Sequence, residues 1–284
     1  MSLKHLLKIL GSAATAVFLA ACQNGQAAAL PVSVYPVEEI GLGSRIDFEY
    51  ENEAVPEVEE QVFNLLDPPI KSAHGRYVYL TFDDGPSHNT EQILDILAEF
   101  DVQGTFFVLG NSILSRNDSR EILNRALREG HYIGLHSMTH EHARLYQGPG
   151  APEIFLDEMK EVQSLIYELT GHSSYLCRAP FGSRPTFSQQ HVDLIAQSPF
   201  SCWDWHIDTM DWSHRSVEAI MLEIQQNMAS LQDPNQIVVL MHENQVTVEA
   251  LPSIIKFFRD LGYTFVAYHP DNHFPVNFHN NPDL

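Results

Sequence analysis

The side chains of this chain best suited to chemistry are acidic and imidazole groups that follow short apolar runs. The run from Tyr77 to Phe82 contains almost no polar residue and leads directly into Asp83 and Asp84. Such a run is typical of a β-strand that is buried on both faces. Two adjacent carboxylates at its end repel each other and resist the loss of water, so a cation is expected beside them. A metal ion is the simplest candidate, and an ordinary Asp-Gly-Pro turn is the alternative.

A second candidate group is the histidine pair His136 and His140. On a helical turn, a spacing of four residues brings both imidazoles to one metal ion. With one carboxylate of the pair Asp83 and Asp84, they would supply two nitrogens and one oxygen and leave a fourth position for water. An open position of this kind is typical of catalytic metal sites rather than structural ones.

Strand-like and helix-like segments alternate from Arg76 onward and predict the fold. Apolar residues recur on one helical face in 93–100 and in 155–169, and apolar runs such as Thr105 to Leu109 lie between the helices. The same pattern predicts a strand from Ser201 to Ile207 and a last helix from Val248 to Leu261. About seven βα units in succession predict a parallel sheet of the α/β class that closes into a (β/α) barrel. An open doubly wound sheet is the alternative, but no Gly-rich phosphate loop favours it.

The remaining polar residues of interest stand at the predicted strand ends. The carboxyl ends of the strands of a (β/α) barrel converge on one face, where active sites form. Six side chains are therefore expected to meet: Asp83 and Asp84 after the first strand, His136 after the third, Arg178 after the fourth, Asp208 after the fifth and His242 after the sixth.

Five ordered motifs of the chain resemble those of the NodB-type polysaccharide deacetylases, carbohydrate esterase family four. The motifs are TFDDGP at 81–86, HSMTH at 136–140, RAPFG at 178–182, DTMDW at 208–212 and LMH at 240–242. The resemblance covers Arg76 to about Tyr268 and implies a distorted (β/α) barrel of about seven strands. It also implies a metal-dependent hydrolase in which metal-activated water attacks an acetyl carbonyl. The substrate would be an N-acetylated polysaccharide of the chitooligosaccharide, peptidoglycan or poly-N-acetylglucosamine type.

The resemblance assigns roles to the residues of the first three motifs. It implies that Asp83 is the general base and that Arg178 holds it. The implied ligands of a divalent metal, most often zinc, are Asp84, His136 and His140. A bound zinc ion lowers the pKa of its water toward about 7 and polarises the acetyl carbonyl, so the base need only collect a proton.

The same resemblance assigns the acid and the substrate pocket. His242 is implied as the general acid, oriented by Asp208, and an imidazole suits this task because an amine leaves only when protonated. Trp212 would line the pocket, and the backbone N–H of Phe181 would face the oxyanion. The family more often has Tyr at the Phe181 position, which concerns pocket shape more than chemistry.

Two other functions stay open at this stage. An O-acetyl esterase acting on a xylan-like glycan would depend less on the general acid, because an alkoxide leaves more easily than an amine. A glycan-binding protein without catalysis could use the same barrel, although every expected polar residue is present. Release of acetate from chitooligosaccharide compared with acetylxylan separates the three.

The composition and the N-terminal segment limit which partners and which cellular location are expected. The net charge of -21 argues against nucleic acid and against electrostatic attraction to anionic lipid. Lys4 and Lys8 precede an apolar stretch that is too short for a membrane span, which predicts a signal peptide over 1–21. It ends in Leu-Ala-Ala-Cys22, which resembles a bacterial lipoprotein processing site. We therefore expect export and a lipid anchor on Cys22 in a bacterial cell membrane, the alternative being an ordinary cleavage site with an incidental cysteine.

The rest of the chain divides into two parts. Residues 22–75 are rich in Ala, Glu and Pro without a sustained period, and we interpret them as a tether and an N-terminal arm, with disorder as the alternative. Residues 76–284 form the predicted barrel domain. Cys177 and Cys202 are expected to be buried free thiols, because they would lie at different depths of neighbouring strands.

Overall fold

A computed structural model describes residues 75–231 and 235–284 of the chain. The predicted signal peptide (1–21), Cys22 and nearly all of the predicted tether and arm (22–75) lie outside the described residues. No helix in the described ranges combines the length and the apolar character that crossing a membrane requires.

Strands and helices alternate throughout the described residues, as the sequence predicts. The strands are β1 (Tyr77–Gly85), β2 (Gly104–Val108), β3 (Tyr132–Leu135), β4 (Leu176–Cys177), β5 (Ser201–Cys202), β6 (Ile207–Asp208), β7 (Gln236–His242) and β8 (Thr264–Phe265). The helices are α1 (Thr90–Glu99), α2 (Gly110–Leu114), α3 (Ser119–Arg128), α4 (His142–Tyr146), α5 (Ala151–Thr170), α6 (Gln189–Ala196), α7 (Val217–Ser230) and α8 (Gln245–Asp260). A 3-10 turn, Pro270–Asn272, precedes the C-terminal segment.

All the paired strands are parallel and form one curled sheet. Its order is β5-β4-β3-β2-β1-β7-β6, and β8 pairs with β1 beside this path. The curl and the surrounding helices give a distorted (β/α) half-barrel, so the predicted fold class is confirmed. The central position belongs to β1, which pairs with both β2 and β7.

Alternation along β1 explains why its sequence is apolar almost without a break. Val78, Leu80 and Phe82 pack in the cluster between the sheet and the helices. Tyr77 and Tyr79 belong to a second, mostly aromatic cluster inside the curl of the sheet. Since successive side chains of a strand point to opposite faces, both faces of β1 are buried.

The predicted strand from Ser201 to Ile207 is wrong, because the structure divides it into β5 and β6. The backbone carbonyls of Trp203 and Asp204 accept hydrogen bonds from the Arg178 side chain, at 3.1 and 3.0 Å. These carbonyls therefore do not join a strand ladder, and the chain crosses from one edge of the sheet to the other. As a consequence, Asp208 ends the sixth strand and His242 the seventh.

The predicted helix bounds differ from the structure mainly where a side chain caps the helix. The prediction starts the last helix at Val248, whereas α8 starts at Gln245. Asn244 Oδ1 accepts a hydrogen bond from Thr247 N at 3.0 Å, and this cap extends the helix toward its N-terminus. The short helices α2 and α4 were not predicted, since five residues are too few for a periodic pattern.

Cys177 and Cys202 are buried free thiols, as predicted, but the reason given for that prediction is wrong. They do not lie at different depths, because Cys177 of β4 is the direct register partner of Cys202 of β5. The pairing of two strands that are only two residues long is not visible as a period in the sequence. The hydrogen bond with the Cys177 side chain and burial both raise the pKa of Cys202.

Candidate active site

Strand alternation directs the candidate side chains to the interior of the curl. Tyr77 and Tyr79 of β1 point inward, so Asp83 on the same face also points inward at the carboxyl end. Leu176 and Val238 point inward on β4 and β7, and by the same two-residue period so do Arg178 and His242. The aromatic interior therefore gives way to polar groups at one end of the sheet.

Asp84, His136 and His140 form a group that could hold a metal ion. One ligand atom from each residue lies within 4.8 Å of the other two. Asp84 Oδ1 is 3.4 Å from His136 Nε2 and 3.5 Å from His140 Nε2. The three predicted metal ligands are thus brought together.

The chemistry of this group fits a divalent metal. His136 Nδ1 donates to the backbone carbonyl of Arg178 at 2.9 Å, so its Nε2 presents a lone pair toward Asp84. Burial lowers the pKa of His136 to about 3, which keeps the ring neutral and able to bind a metal. Asp84 Oδ1 is buried and has no hydrogen-bond partner in the described part of the chain. Two imidazole nitrogens and one carboxylate oxygen form a donor set that zinc accepts.

The segment between the two histidines is not the helical turn that their spacing predicted. Ser137 and His140 have left-handed backbone conformations, with φ of 71° and 59°. The Ser137 side-chain oxygen accepts a hydrogen bond from His140 N at 3.0 Å. The chain therefore reverses sharply after β3, and the reversal brings His140 back beside His136.

Arg178 is completely buried and uses its guanidinium to join several parts of the sheet. Its Nη1 donates to Asp83 Oδ1 at 2.8 Å and to Thr81 Oγ1 at 2.6 Å. Its Nε and Nη2 donate to the carbonyls of Trp203 and Asp204. The expected contact between Arg178 and Asp83 is present.

The two adjacent carboxylates occupy different environments. The Asp83 side chain is only 4% exposed, whereas that of Asp84 is 40% exposed. Burial raises the pKa of Asp83, and the charges of Arg178 and His242 oppose this shift without cancelling it. Asp83 Oδ2 lies 3.7 Å from His136 Nε2, so its second oxygen faces the candidate metal group.

The carboxylate that orients His242 is Asp211, and the prediction of Asp208 for this contact is wrong. His242 Nδ1 donates to Asp211 Oδ1 at 2.7 Å, and His242 N donates to Asp211 Oδ2 at 2.6 Å. Asp211 Oδ2 also accepts from Thr247 Oγ1 and, at 3.2 Å, from Asn244 Nδ2. These bonds fix the buried carboxylate against the imidazole.

Asp208 has a different task, which explains the error. Its Oδ1 accepts a hydrogen bond from Met210 N at 2.8 Å and closes a turn in which Met210 has φ of 55°. The turn places Asp211, not Asp208, opposite His242. Both aspartates belong to DTMDW, and the sequence pattern does not distinguish a turn-closing carboxylate from one that faces the next strand.

His242 is held in its charged form. Burial lowers the pKa of His242, but the hydrogen bond and charge of Asp211, with the charges of Asp83 and Asp84, outweigh burial and raise it to about 9. Because Nδ1 donates to Asp211, the proton available to a ligand is on Nε2.

Phe181 and Trp212 have 53% and 56% of their areas exposed, and Trp212 directly follows Asp211 in the chain. The Phe181 ring meets the His140 ring edge to face, with centroids 4.5 Å apart. Its backbone is left-handed, with φ of 66°, and its N–H has no protein acceptor in the described part of the chain. Exposed aromatic faces of this kind suit the apolar faces of a sugar ring.

The sequence prediction missed Glu243, a buried carboxylate directly after His242. Its Oε2 accepts hydrogen bonds from Ser87 N at 3.0 Å and from Thr90 Oγ1. Burial raises the pKa of Glu243 to about 7. A Cβ atom at Gly85 would lie 1.8 Å from Glu243 Oε1, so a larger residue at this position would force the Glu243 carboxylate to move. Glu243 thus ties the end of β7 to the turn that follows β1.

Asp204 is a second buried carboxylate that was missed. It accepts hydrogen bonds from Ser183 N at 2.8 Å, from Ser183 Oγ at 2.5 Å and from Phe278 N at 2.7 Å. It therefore fixes the C-terminal segment against the end of the RAPFG turn. An aspartate between Trp203 and Trp205 is the only sequence signal that could have drawn attention to it.

Comparison with known proteins identifies the family. Residues 70–200 match the family model described as polysaccharide deacetylase. A peptidoglycan-N-acetylglucosamine deacetylase of Bacillus cereus is 39% identical over 210 residues, which are 72% of this chain and 74% of that protein. The chain belongs to the polysaccharide deacetylase family, as its five motifs predict.

Two further comparisons agree with this. The peptidoglycan-N-acetylglucosamine deacetylase PgdA of Listeria monocytogenes is 30% identical over 200 residues, which are 69% of this chain and 39% of that longer protein. The crystal structure of the polysaccharide deacetylase Bc1974 from Bacillus cereus superposes with a TM-score of 0.66 at 38% identity. That superposition covers 74% of this chain and 100% of the crystallised chain.

Replacement of Arg178 by Ala should lower the free energy of unfolding by about 3–5 kcal/mol, because the buried Asp83 carboxylate loses its counter-ion. Urea denaturation of the metal-free protein measures this. Arg215→Ala is the matched control, since Arg215 is exposed and its loss should change the stability by less than about 0.5 kcal/mol. Equal stability of the two variants would show that the buried pair contributes nothing to folding.

Proposed function

We propose that this protein is a metal-dependent deacetylase that hydrolyses the N-acetyl groups of N-acetylglucosamine in a peptidoglycan-type glycan. The observation that carries the proposal is the placement of a buried, arginine-bound carboxylate, Asp83, beside a three-ligand group, with the carboxylate-bound His242 also at this end of the sheet. A base, a Lewis-acid position and an acid together satisfy the needs of amide hydrolysis.

The names of the relatives support the choice of substrate. The Bacillus cereus and Listeria monocytogenes relatives are both named as peptidoglycan-N-acetylglucosamine deacetylases. The product of this reaction is a cationic amine, which an acidic protein of net charge -21 tolerates.

Asp84, His136 and His140 would hold the metal ion. When bound, a zinc or similar divalent ion would supply Lewis-acid polarisation of the acetyl carbonyl and acidify the attacking water. The Arg178 carbonyl fixes the His136 ring in the tautomer that leaves Nε2 free to bind the ion.

Asp83 would accept the proton of the attacking water. Arg178 binds one of its oxygens at 2.8 Å and leaves Oδ2 directed toward the three-ligand group. The guanidinium favours the ionised carboxylate against the effect of burial, which is the state a general base needs. The N–H of Phe181, which has no protein acceptor among the described residues, would stabilise the oxyanion that forms on the acetyl carbonyl oxygen.

His242 would donate a proton to the departing amine. Its Nδ1 is committed to Asp211, so Nε2 carries the proton to be transferred. A pKa of about 9 keeps His242 protonated at neutral pH, which an acid requires before the reaction starts.

Release of acetate from defined substrates tests the proposed function. Purified protein loaded with zinc should release acetate from N-acetylated peptidoglycan fragments and chitooligosaccharides faster than from acetylxylan, and removal of the metal with a chelator should abolish this. Faster reaction with acetylxylan would indicate an O-acetyl esterase. Binding of the glycans without acetate release would indicate a glycan-binding protein.

Asparagine variants of the two adjacent carboxylates should separate their tasks. Asp84→Asn should bind zinc more weakly, and excess zinc should restore part of its activity, because an amide is a poorer ligand of the same shape. Asp83→Asn should keep its zinc and lose on the order of 100- to 10,000-fold in turnover, since the proton acceptor is gone. Zinc content and turnover of both variants are the measurements that check this. Loss of zinc from Asp83→Asn, with zinc retained by Asp84→Asn, would contradict the assignment.

The loss of activity at alkaline pH should reflect the deprotonation of His242. Activity on an N-acetyl substrate should fall as the pH rises through about 9, where His242 loses its proton. Asp211→Asn should move this loss to lower pH, because burial continues to disfavour the imidazolium while the anion that stabilises it is absent. Asp208→Asn should move it less, since its carboxylate bonds Met210 N. A larger shift in Asp208→Asn would restore the original assignment of this residue.

We also propose export and a lipid anchor on Cys22, on the sequence pattern of residues 1–22 alone. Partition of a Cys22→Ser variant between membrane and soluble fractions is the measurement that checks it.

A further inference from the structure

The two histidines of the candidate metal group are held by different means. His136 lies at the end of β3, where its N donates to Val108 O at 3.0 Å and its ring donates to Arg178 O at 2.9 Å. His140 lies beyond the left-handed turn, and within the described residues its ring has no hydrogen bond to anchor it apart from its approach to Asp84. The direction of the His140 ring therefore depends on the backbone of the turn, together with the Phe181 ring that packs against it.

That backbone is bound by a carboxylate from another element, Glu158 of α5. The Glu158 side chain is only 2% exposed. Its Oε2 accepts hydrogen bonds from Met138 N and from Thr139 N, both at 3.0 Å. The Thr139 hydroxyl lies 3.1 Å from Oε1 and 3.0 Å from Oε2. One buried side chain thus satisfies both central N–H groups of the turn.

The charge of Glu158 makes these bonds strong. Its partner Arg144 donates from Nε to Oε1 at 2.5 Å, but the Arg144 side chain is 51% exposed. The ion pair thus occupies Oε1, and Oε2 remains free to bind the turn. Hydrogen bonds to an ionised acceptor are roughly twice as strong as neutral ones. The turn needs such support because both of its end residues, Ser137 and His140, have unfavourable positive φ.

We propose that Glu158 is a positioning residue for the metal site, which fixes the 137–140 turn so that the His140 imidazole faces Asp84 and His136. The proposal rests on the metal binding of the proposed function. The hydrogen bonds of Glu158 to the turn go to Met138 and Thr139, not to the side chains of Asp84, His136 or His140. Its effect therefore passes through the backbone from Met138 and Thr139 to His140.

Two variants of Glu158 test this proposal, one that removes its charge and one that also removes its hydrogen-bond acceptors. Glu158→Gln keeps an oxygen that can accept from Met138 N and Thr139 N, but it turns an amide toward Arg144 and loses the charge. Glu158→Met has similar length and no acceptor. Zinc affinity should fall on the order of 10-fold in the first and 100-fold in the second, the range for partners that orient metal ligands. Glu161→Gln and Glu161→Met are matched controls, since Glu161 lies exposed on the same helix.

Competition with a chromophoric chelator measures the zinc affinity, and thermal unfolding of the metal-free proteins measures stability separately. The proposal is supported if the Glu158 variants bind zinc more weakly while the Glu161 variants do not, and if saturating zinc restores the activity of the Glu158 variants. Unchanged zinc affinity with reduced thermal stability would overturn it and leave Glu158 a structural residue. If Glu158→Met does not fold, Glu158→Gln alone decides between these outcomes. A wild-type protein that binds no zinc would contradict the proposed function itself.

Discussion

The buried ion pair between Arg178 and Asp83 is the interaction on which the rest of the site depends. An unpaired guanidinium inside a protein is costly, and this one is satisfied by Asp83, by Thr81 and by two backbone carbonyls, with the Phe107 ring 4.1 Å from its centre. To satisfy it, the chain between β5 and β6 gives up its strand pairing. The break between β5 and β6 and the position of Asp83 therefore both involve the same guanidinium.

The same pair also connects two parts of the candidate site. On one side, Arg178 O fixes the His136 ring and so prepares the candidate metal position. On the other, Asp83 contributes to the high pKa of His242 through its charge. Arg178 and Asp83 thus influence both the candidate metal group and His242.

Much of the fold and part of the site could be predicted from the sequence, because both follow from periodicity. The two-residue period of the strands places Asp83, Arg178 and His242 on the inner face, and the order of strands and helices gives the parallel sheet. Residue type and spacing also predicted a metal group of His136, His140 and one of the two adjacent carboxylates, although the turn between the histidines is not helical. The choice of Asp84 over Asp83 came from the family resemblance.

What could not be predicted depends on contacts between residues far apart in the chain. The choice between Asp208 and Asp211 is made by a turn whose closing bond uses Asp208 itself. The division of the fifth predicted strand is made by Arg178, and Glu158 and Asp204 act on loops in other parts of the sequence. No local pattern carries this information, because each contact depends on packing of the finished sheet.

The left-handed backbone positions have a consequence for how this protein could change over time. Of the seven non-glycine residues with positive φ in the described ranges, five lie in four of the motifs: Asp84, Ser137, His140, Phe181 and Met210. Each such position costs of the order of 1–3 kcal/mol. A glycine would relax the backbone at Ser137, for example, and selection for heat resistance alone would favour such exchanges. At this end of the sheet, substitutions that raise the thermal stability are therefore expected to lower the activity. Substitutions on the outer faces of the helices can raise the stability without this loss.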